Sequence, residues 1–467
     1  MSCQPRVSLT TYSFIALCVL AIYGTGCKKV KENVTVSTTG IFANGSDIKP
    51  NIIFILSDDV GFEVPTYSGG ESYNTPNLDF MAASGTQFSL GNASPLCSPS
   101  RFMLMTGKYN FRNYYRWGVM GFDQRTVANL AKDAGYATCV SGKWQFDGGD
   151  QAIHNFGFDS YAVNEAFDAG TGEETENDFY KDPVVYEDGN YLPASVTKGK
   201  YGPDVYRDYV FNFIDSNKNK PFFIYWAMNL CHKPFCPTPD DPDFGTWISG
   251  QDPKDGDTIY FPSMVRYMDK QIGQLMTKLQ QMNLDKNTLI IFSGDNGTPE
   301  DIFSRWNGQT IQGGKSEIVE RGYHVPLVAY MPGSVPGGRK DLSLIDFTDL
   351  MPTFADLLKT NVPSSFGQID GVSFYPQLAG LNNKNSRNWV FCQYLPHPED
   401  STDKAPKRWI ENKKYKEYDT INGFFKSSRL FDILDDPEET TVIPPSGRTL
   451  DVKILYENFR KIMEGLH

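Results

Sequence analysis

Histidine, positive charge and long apolar runs are all scarce in this chain, and each scarcity excludes something. Five histidines in 467 residues leave no second His/Asp ligand set of the kind a two-metal phosphatase needs. Lysine and arginine total 44 against 56 acidic residues, a formal net charge of −12. Phosphate-backbone binding needs a basic face, and with no Lys/Arg cluster in view nucleic acid is excluded as a partner. An anion can still be held where the site is locally positive. No internal repeat or low-complexity tract is visible. The eight cysteines, at 3, 18, 27, 97, 139, 231, 236 and 392, lack the paired CxxC spacing of a structural zinc site. Cys231 and Cys236 suit a loop disulfide in an oxidising compartment, and equally two separate thiols.

The apolar run from Phe14 to Tyr23 is too short to cross a bilayer as a helix, and with Arg6 before it the run reads as a removable export signal. It closes on Gly24-Thr25-Gly26-Cys27, small residues before a cysteine as in a bacterial lipobox, although Gly24 stands where an aliphatic residue is usual. Acylation of Cys27 would place the protein in the periplasm or at the cell surface, meeting the membrane only through that lipid anchor. A plain cleaved signal with Cys27 incidental is the alternative. Residues 1–27 are then signal and lipobox, and the polar stretch 28–47 is a linker. The rest is too long for one core, since single cores rarely exceed roughly 250–300 residues. It divides where the pattern changes, into 48–380 and a smaller C-terminal domain, 381–467.

Strand and helix signals alternate through the larger part. Ile52 to Leu56 is a continuous apolar run, as in a strand buried on both faces, and leads into Asp58-Asp59. Thr75-Pro76 reads as an N-cap with proline in the first turn, and Gly85 as the stop. A strand near Gln87–Leu90 precedes Cys97, where Ser98-Pro99 repeats the cap-then-proline signal and Gly107 ends the helix. A helix near Val127–Ala134 stops at Gly135. The strand Ala137–Ser141 runs into Gly142-Lys143-Trp144, Phe222–Met228 is another buried strand, and a long amphipathic helix over Met264–Met282 precedes the strand Thr288–Phe292, which runs into Asp295-Asn296. This alternation predicts an α/β sandwich around a largely parallel sheet, with Asp58, Lys143 and Asp295 at the carboxyl ends of strands, where ligands gather. Val184 to Tyr191 looks like a surface hairpin turning at Asp188-Gly189. Beyond Gly380, Trp389–Leu395, Phe424–Ser427 and Leu430–Leu434 suggest short antiparallel strands. A final helix from Leu450 carries Val452, Leu455, Tyr456, Phe459 and Met463 on one face.

The sharpest motif is Cys97-Ser98-Pro99-Ser100-Arg101. Its four fixed positions, C-x-P-S-R, arise by chance in only about one chain of this length in a thousand. They match the signature of the sulfatases, and from about Pro50 to Glu439 other segments resemble that family in its order. These are SDDVG with Asp58 and Asp59, GKW with Lys143, HKPF with His232, SGDNG with Asp295 and Asn296, GGKSEIVERG with Lys315, and FDILDDPEE. The resemblance implies the alkaline phosphatase superfamily fold, with a small C-terminal α+β domain bearing a short antiparallel sheet on the main sandwich. It implies a sulfatase acting on sulfated polysaccharides or oligosaccharides, and a maturation enzyme that oxidises Cys97 to formylglycine.

The residue types agree. Asp58, Asp59, Asp295 and the amide oxygen of Asn296 are a hard oxygen set that suits one calcium ion, and magnesium less well. Acidic residues at strand ends are often solvated turn caps, but two such pairs converging read better as one metal site. A thiol is a poor partner for so hard an ion, and the resemblance supplies the answer. The formylglycine hydrate at position 97 offers one hydroxyl to the metal and to sulfur, the alcohol leaves, and the second hydroxyl's proton loss re-forms the aldehyde and frees sulfate. Arg101, Lys143 and Lys315 would make the site locally positive and stabilise charge on the sulfuryl oxygens, and His232 would hydrogen-bond or protonate the leaving oxygen.

Two positions depart from the family. Gln145 follows Trp144 where histidine is usual; it can orient a hydrate and bind substrate but cannot titrate. His324 stands where arginine is frequent and receives no role, and His154 reads as a surface residue. Tyr114, Tyr115 and Trp117 fit sugar stacking and core packing equally. The alternatives kept open are a phosphomonoester or phosphonate hydrolase of the same superfamily and an inactive protein that binds sulfated glycans.

Overall fold

The computed structural model describes residues 49–164, 179–248, 256–381, 386–400, 405–420 and 423–466. The expected signal, Cys27 and the linker lie outside them. Among the described residues no helix is long and apolar enough to cross a membrane.

The strands are β1 (Asn51–Ser57), β2 (Thr86–Asn92), β3 (Ala137–Lys143), β4 (Ser160–Asn164), β5 (Tyr186–Glu187), β6 (Asn190–Tyr191), β7 (Phe222–Ala227), β8 (Thr288–Gly294), β9 (Phe303–Trp306), β10 (Gln309–Gln312), β11 (His324–Tyr330) and β12 (Arg339–Asp346). Ten form one mixed sheet in the order β12-β2-β11-β8-β1-β7-β3-β4-β5-β6, and β9 and β10 make a separate hairpin. Its centre, β8-β1-β7-β3, is parallel, while β11 runs antiparallel to both β2 and β8.

The apolar run of β1 is continuous because both faces are covered. Ile52, Phe54 and Leu56 join a core with Met103, Leu130 and Phe354 from helices Cys97–Thr106, Val127–Asp133 and Leu350–Leu357. Ile53 and Ile55, pointing the other way along the pleat, join Val210 and Met264 from helices Gly202–Asn217 and Phe261–Gln281. The strand ends are level: Ser57 pairs with Gly294 and Leu56 with Ala227, and Gly142 pairs with Ala227. Lys143 at the end of β3 and the loops bearing Asp58 and Asp295 therefore lie together at the carboxyl ends of the central strands. Gly142 has φ +100, and a Cβ there would sit 1.9 Å from the Ala227 carbonyl oxygen, so only glycine lets β3 approach β7 this closely before Lys143.

The smaller sheet consists of β13 (Val390–Tyr394), β14 (Lys407–Glu411), β15 (Tyr415–Tyr418) and β16 (Leu430–Asp432), all antiparallel. Helix Leu450–Gly465 buries Val452, Phe459 and Met463.

Several sequence expectations need correction. Phe424–Ser427 is not a strand, and β14 and β15, rich in lysine and glutamate, carried no apolar pattern to reveal them. The helix at Pro76 is not capped by Thr75; the Asp269 carboxylate accepts the N–H groups of Asn77 and Leu78 at 3.0 and 2.9 Å, which a local reading cannot see. Ser98 is not a cap either, since the helix already begins at Cys97. The hairpin at Asp188-Gly189 is present, with φ of +43 and +89, and extends the edge of the main sheet.

Candidate active site

Asp58 and Asp59 follow β1 directly. The Asp58 N–H donates to the Leu230 carbonyl and the Cys231 N–H to the Asp58 carbonyl, tying the turn to the loop after β7. Asp59 has φ +59, a strained conformation for a side-chain-bearing residue, held in part because its N–H donates to Asp295 Oδ1 at 3.0 Å. The Asn296 amide donates to Asp59 Oδ1 at 2.7 Å, and Lys315 Nζ reaches Asp59 Oδ2 at 2.7 Å. Lys143 Nζ pairs with Asp58 Oδ2 at 2.7 Å. Arg101 Nη2 lies 2.8 Å from Asp295 Oδ2 and 3.7 Å from Asp58 Oδ2, with all three side chains fully buried.

Cys97 is the first residue of its helix and is buried. Its Sγ accepts from Gln145 Nε2 at 3.2 Å, and Gln145 has φ +60. The end of β3 and the residues just after it thus bring Lys143 and Gln145 toward the nucleophile candidate. Burial pushes the Cys97 thiol's pKa up, against the opposing pull of Lys143 and Lys315, so this cysteine is held as a thiol and is poorly suited to act as thiolate.

His232 Nδ1 sits 2.6 Å from the Lys233 carbonyl, and a carbonyl only accepts, so the ring proton belongs on Nδ1. Burial, Lys143 and Lys315 lower its pKa to about 4. The neutral ring presents a bare Nε2 toward Asp59 Oδ2, 3.9 Å away. As an acid toward a leaving oxygen, His232 would first have to gain a proton, which an arriving anion favours.

The donor set fits a hard divalent cation. The oxygens Asp58 Oδ1 and Asn296 Oδ1 are buried without a hydrogen-bond partner, a costly state that a cation relieves. Asp295 is pushed up to about 7, first by burial and then by the charge of Asp58, as expected where carboxylates are packed more tightly than their own counter-charges tolerate. Among the described residues, the His, Cys, Asp and Glu side chains that converge to within 4.8 Å by a ligand atom each are Asp58, Asp59 and His232. Asp295, by contrast, commits both oxygens to Arg101 and the Asp59 N–H.

Among the described residues, all the expected site residues meet here, whereas His324 and His154 do not. His324 Nδ1 faces Glu320 at 2.9 Å and Nε2 the Ser89 carbonyl at 2.8 Å; two acceptors on two ring nitrogens make it an imidazolium, so it keeps the positive charge of the arginine it replaces. His154 faces Asp150 and the Phe158 carbonyl at the surface. Tyr114 packs in the core against Phe102 and donates to the Pro396 carbonyl at 2.7 Å. Trp117 stacks on His397 with centroids 5.0 Å apart, on a loop anchored by the Gly118 N–H to Ser98 Oγ. Cys231 and Cys236 are separate buried thiols.

Sequence reasoning missed two participants. Tyr225 Oη accepts from Arg101 Nη1 at 3.3 Å, and nothing in an apolar strand marks one tyrosine as polar-facing. Glu63, buried, accepts from Thr298 Oγ1 at 2.5 Å, and that hydroxyl accepts from the Gly61 N–H. For Glu63 and Thr298, nearness in sequence to the two aspartate motifs was the available signal.

Comparison with known proteins gives a consistent result. The family model described as Sulfatase matches residues 50–360, and one described as N-sulphoglucosamine sulphohydrolase, C-terminal, matches 314–461. N-acetylgalactosamine-6-sulfatase of Canis lupus familiaris is 31% identical over 379 residues, 74% of this chain and 69% of that protein. The crystal structure of Ps i-CgsB in complex with k-i-k-neocarrahexaose is similar at 25% identity and TM-score 0.70, over 88% of this chain and 93% of that one. The structure of BT4656 in complex with its substrate D-glucosamine-2-N,6-O-disulfate shares the fold at 21% identity and TM-score 0.70, over 89% of this chain and 98% of that one.

Proposed function

Since the chain belongs to the sulfatase family, within the alkaline phosphatase superfamily, and is a sulfuric ester hydrolase, we propose that it desulfates carbohydrates through Cys97 matured to formylglycine beside a calcium ion. The observation that carries this reading is the meeting of Cys97 with Gln145, Lys143, Lys315, Arg101 and the carboxylates in one buried cluster. Asp58, Asp59, Asp295 and Asn296 would hold the ion, with His232 Nε2 near it. When bound, it supplies positive charge to the attacking hydroxyl and to a sulfuryl oxygen, and a formylglycine hydrate supplies that hydroxyl.

The chain's own residues supply the rest. Asp58, Asp59 and Asp295 are offset by Arg101, Lys143 and Lys315, so a divalent ion leaves the site doubly positive. That charge complements a singly charged sulfate ester together with a deprotonated hydroxyl. Lys143 and Lys315 bind the sulfuryl oxygens as charge grows on them. Arg101, fully buried, holds Asp295 and Asp58 in place. Gln145 orients the group at position 97, and His232 faces the leaving oxygen. Maturation requires an enzyme that recognises the Cys97 segment. Export and acylation at Cys27 belong to the same proposal, carried by the first 27 residues.

A panel of sulfated sugars, including N-acetylgalactosamine 6-sulfate and sulfated carrageenan oligosaccharides, together with an aryl sulfate, tests the reading. Sulfate release from at least one sugar, faster than from the aryl ester, is expected. Matured protein that releases sulfate from none would overturn it. Calcium is expected to raise the unfolding temperature, contributing about 2.7 kcal/mol at a free concentration 100 times its Kd, and calorimetric scans with and without chelator read this directly.

Gln145 carries a third expectation. Because the amide cannot titrate, no imidazole at this position shapes the pH profile of kcat. Gln145→Ala is expected to lower kcat about tenfold or more, as loss of one charge-facing donor does. Gln145→His fits, since histidine tolerates positive φ better than most residues, and adds a titration near its ordinary pKa of about 6.5. A Gln145→Ala variant as active as the parent, with an unmoved profile for Gln145→His, would remove Gln145 from the mechanism.

A further inference from the structure

Lysine 416 lies on β15, in the small C-terminal sheet, yet its ammonium group is tied to the main-sheet side of the molecule. Its side chain is fully buried. Nζ sits 4.6 Å from the ring centre of Trp409, 4.8 Å from Tyr323 and 4.9 Å from Tyr418, a three-walled aromatic cage. It pairs with Glu439 Oε1 at 2.7 Å, donates to Tyr323 Oη at 3.1 Å and donates to the Ile318 carbonyl oxygen. Tyr418 Oη contacts the same carbonyl at 3.3 Å and Glu439 Oε2 at 2.5 Å.

Ile318 is in the segment that carries Lys315. That segment, 313–323, has little regular structure beyond the four-residue helix Glu320–Tyr323, so its shape depends on outside partners. On the main-sheet side the Lys315 N–H donates to Thr298 O at 2.9 Å and the Ser316 N–H to Pro95 O at 2.8 Å, two residues before Cys97. Ser316 itself has φ +71, a conformation that needs enforcing. On the other side the contacts come from β15: Lys416 and Tyr418 both reach Ile318 O. A buried ammonium that lost its carbonyl or its carboxylate would be left uncompensated, so this arrangement has few alternatives.

We propose that Lys416 is a positioning residue for Lys315, fixing from the C-terminal sheet the segment that delivers Lys315 to Asp59 and to the sulfate. This rests on the assignment of Lys315 to the site. The test is a double-mutant cycle on matured protein with an aryl sulfate, comparing the parent, Lys416→Met, Lys315→Ala and the double variant. Lys416→Met is expected to lower kcat on the order of 10²-fold, the effect of misplacing one transition-state contact by about 1 Å, with KM changing less. In the Lys315→Ala background the same change is expected to cost no more than about 2-fold, because its effect is already spent. Calcium affinity by titration calorimetry is expected to stay at the parent's value, and Lys416→Arg, which keeps the charge and the donors, is expected to recover most of kcat. If Lys416→Met does not fold, Lys416→Gln, polar but too short to span both acceptors, runs through the same cycle. Equal fold-losses in the two backgrounds, or a loss of calcium affinity that tracks the loss of kcat, would overturn the proposal and leave Lys416 a stability residue. A Lys315→Ala variant as active as the parent would instead refute the placement of Lys315 in the site, and the proposal with it.

Discussion

Replacing Cys97 with alanine is expected to lower turnover of any sulfated substrate by at least about 10⁴-fold, near the loss seen when a covalent nucleophile is removed from a hydrolase. That is about 5.4 kcal/mol of transition-state stabilisation at 1.36 kcal/mol per tenfold. Stability should move little by comparison. The Sγ makes one side-chain hydrogen bond, with Gln145, and the alanine side chain keeps the Cβ. Mass spectrometry of the parent's Cys97 peptide should show aldehyde or hydrate, in proportion to specific activity. Fully active protein in which that peptide carries only thiol would end the formylglycine mechanism.

The second large effect belongs to Asp295→Asn. The amide keeps an oxygen for the Asp59 N–H but removes the charge facing Arg101 at 2.8 Å. Two outcomes are expected together: calcium uptake falls below detection at concentrations that saturate the parent, and kcat/KM drops on the order of 10³-fold. The unfolding temperature should fall as well. Breaking a buried pair by removing one partner costs about 3–5 kcal/mol, lessened here because Arg101 retains Asp58 at 3.7 Å. Unchanged calcium stoichiometry together with parental turnover would show that Asp295 serves only to hold Arg101.

What could be read in the sequence follows the range of the forces involved. The central strands declared themselves because burial on both faces demands an uninterrupted apolar run, as in Ile52–Leu56 and Thr288–Phe292. Asp58, Lys143 and Asp295 were legible because each stands at or directly after the end of such a strand, and Cys97 because it opens a helix, whereas His232 and Lys315 lie on irregular segments and were marked by their motifs alone. The antiparallel direction of β11, inserted between β2 and β8, left no mark even though its residues are largely apolar, since partner direction is set by topology and not by local pattern. β14 and β15 were invisible for a related reason: their buried Lys416, Glu411 and Glu417 read as solvated surface until their partners are seen. The cap of the Pro76 helix escaped because Asp269 lies almost two hundred residues away.

The depth at which Cys97 lies sets a timetable. With 2% of its surface accessible and the Gln145 amide lying on its sulfur, the thiol is out of reach of any protein-sized catalyst once the sheet has closed. In the proposed mechanism, oxidation at this position therefore competes with folding and has to precede it. Under that proposal, a chain that collapses before its maturation enzyme arrives keeps its thiol and lacks a nucleophile, so the yield of active enzyme depends on the order of events during synthesis and not only on how much protein is made.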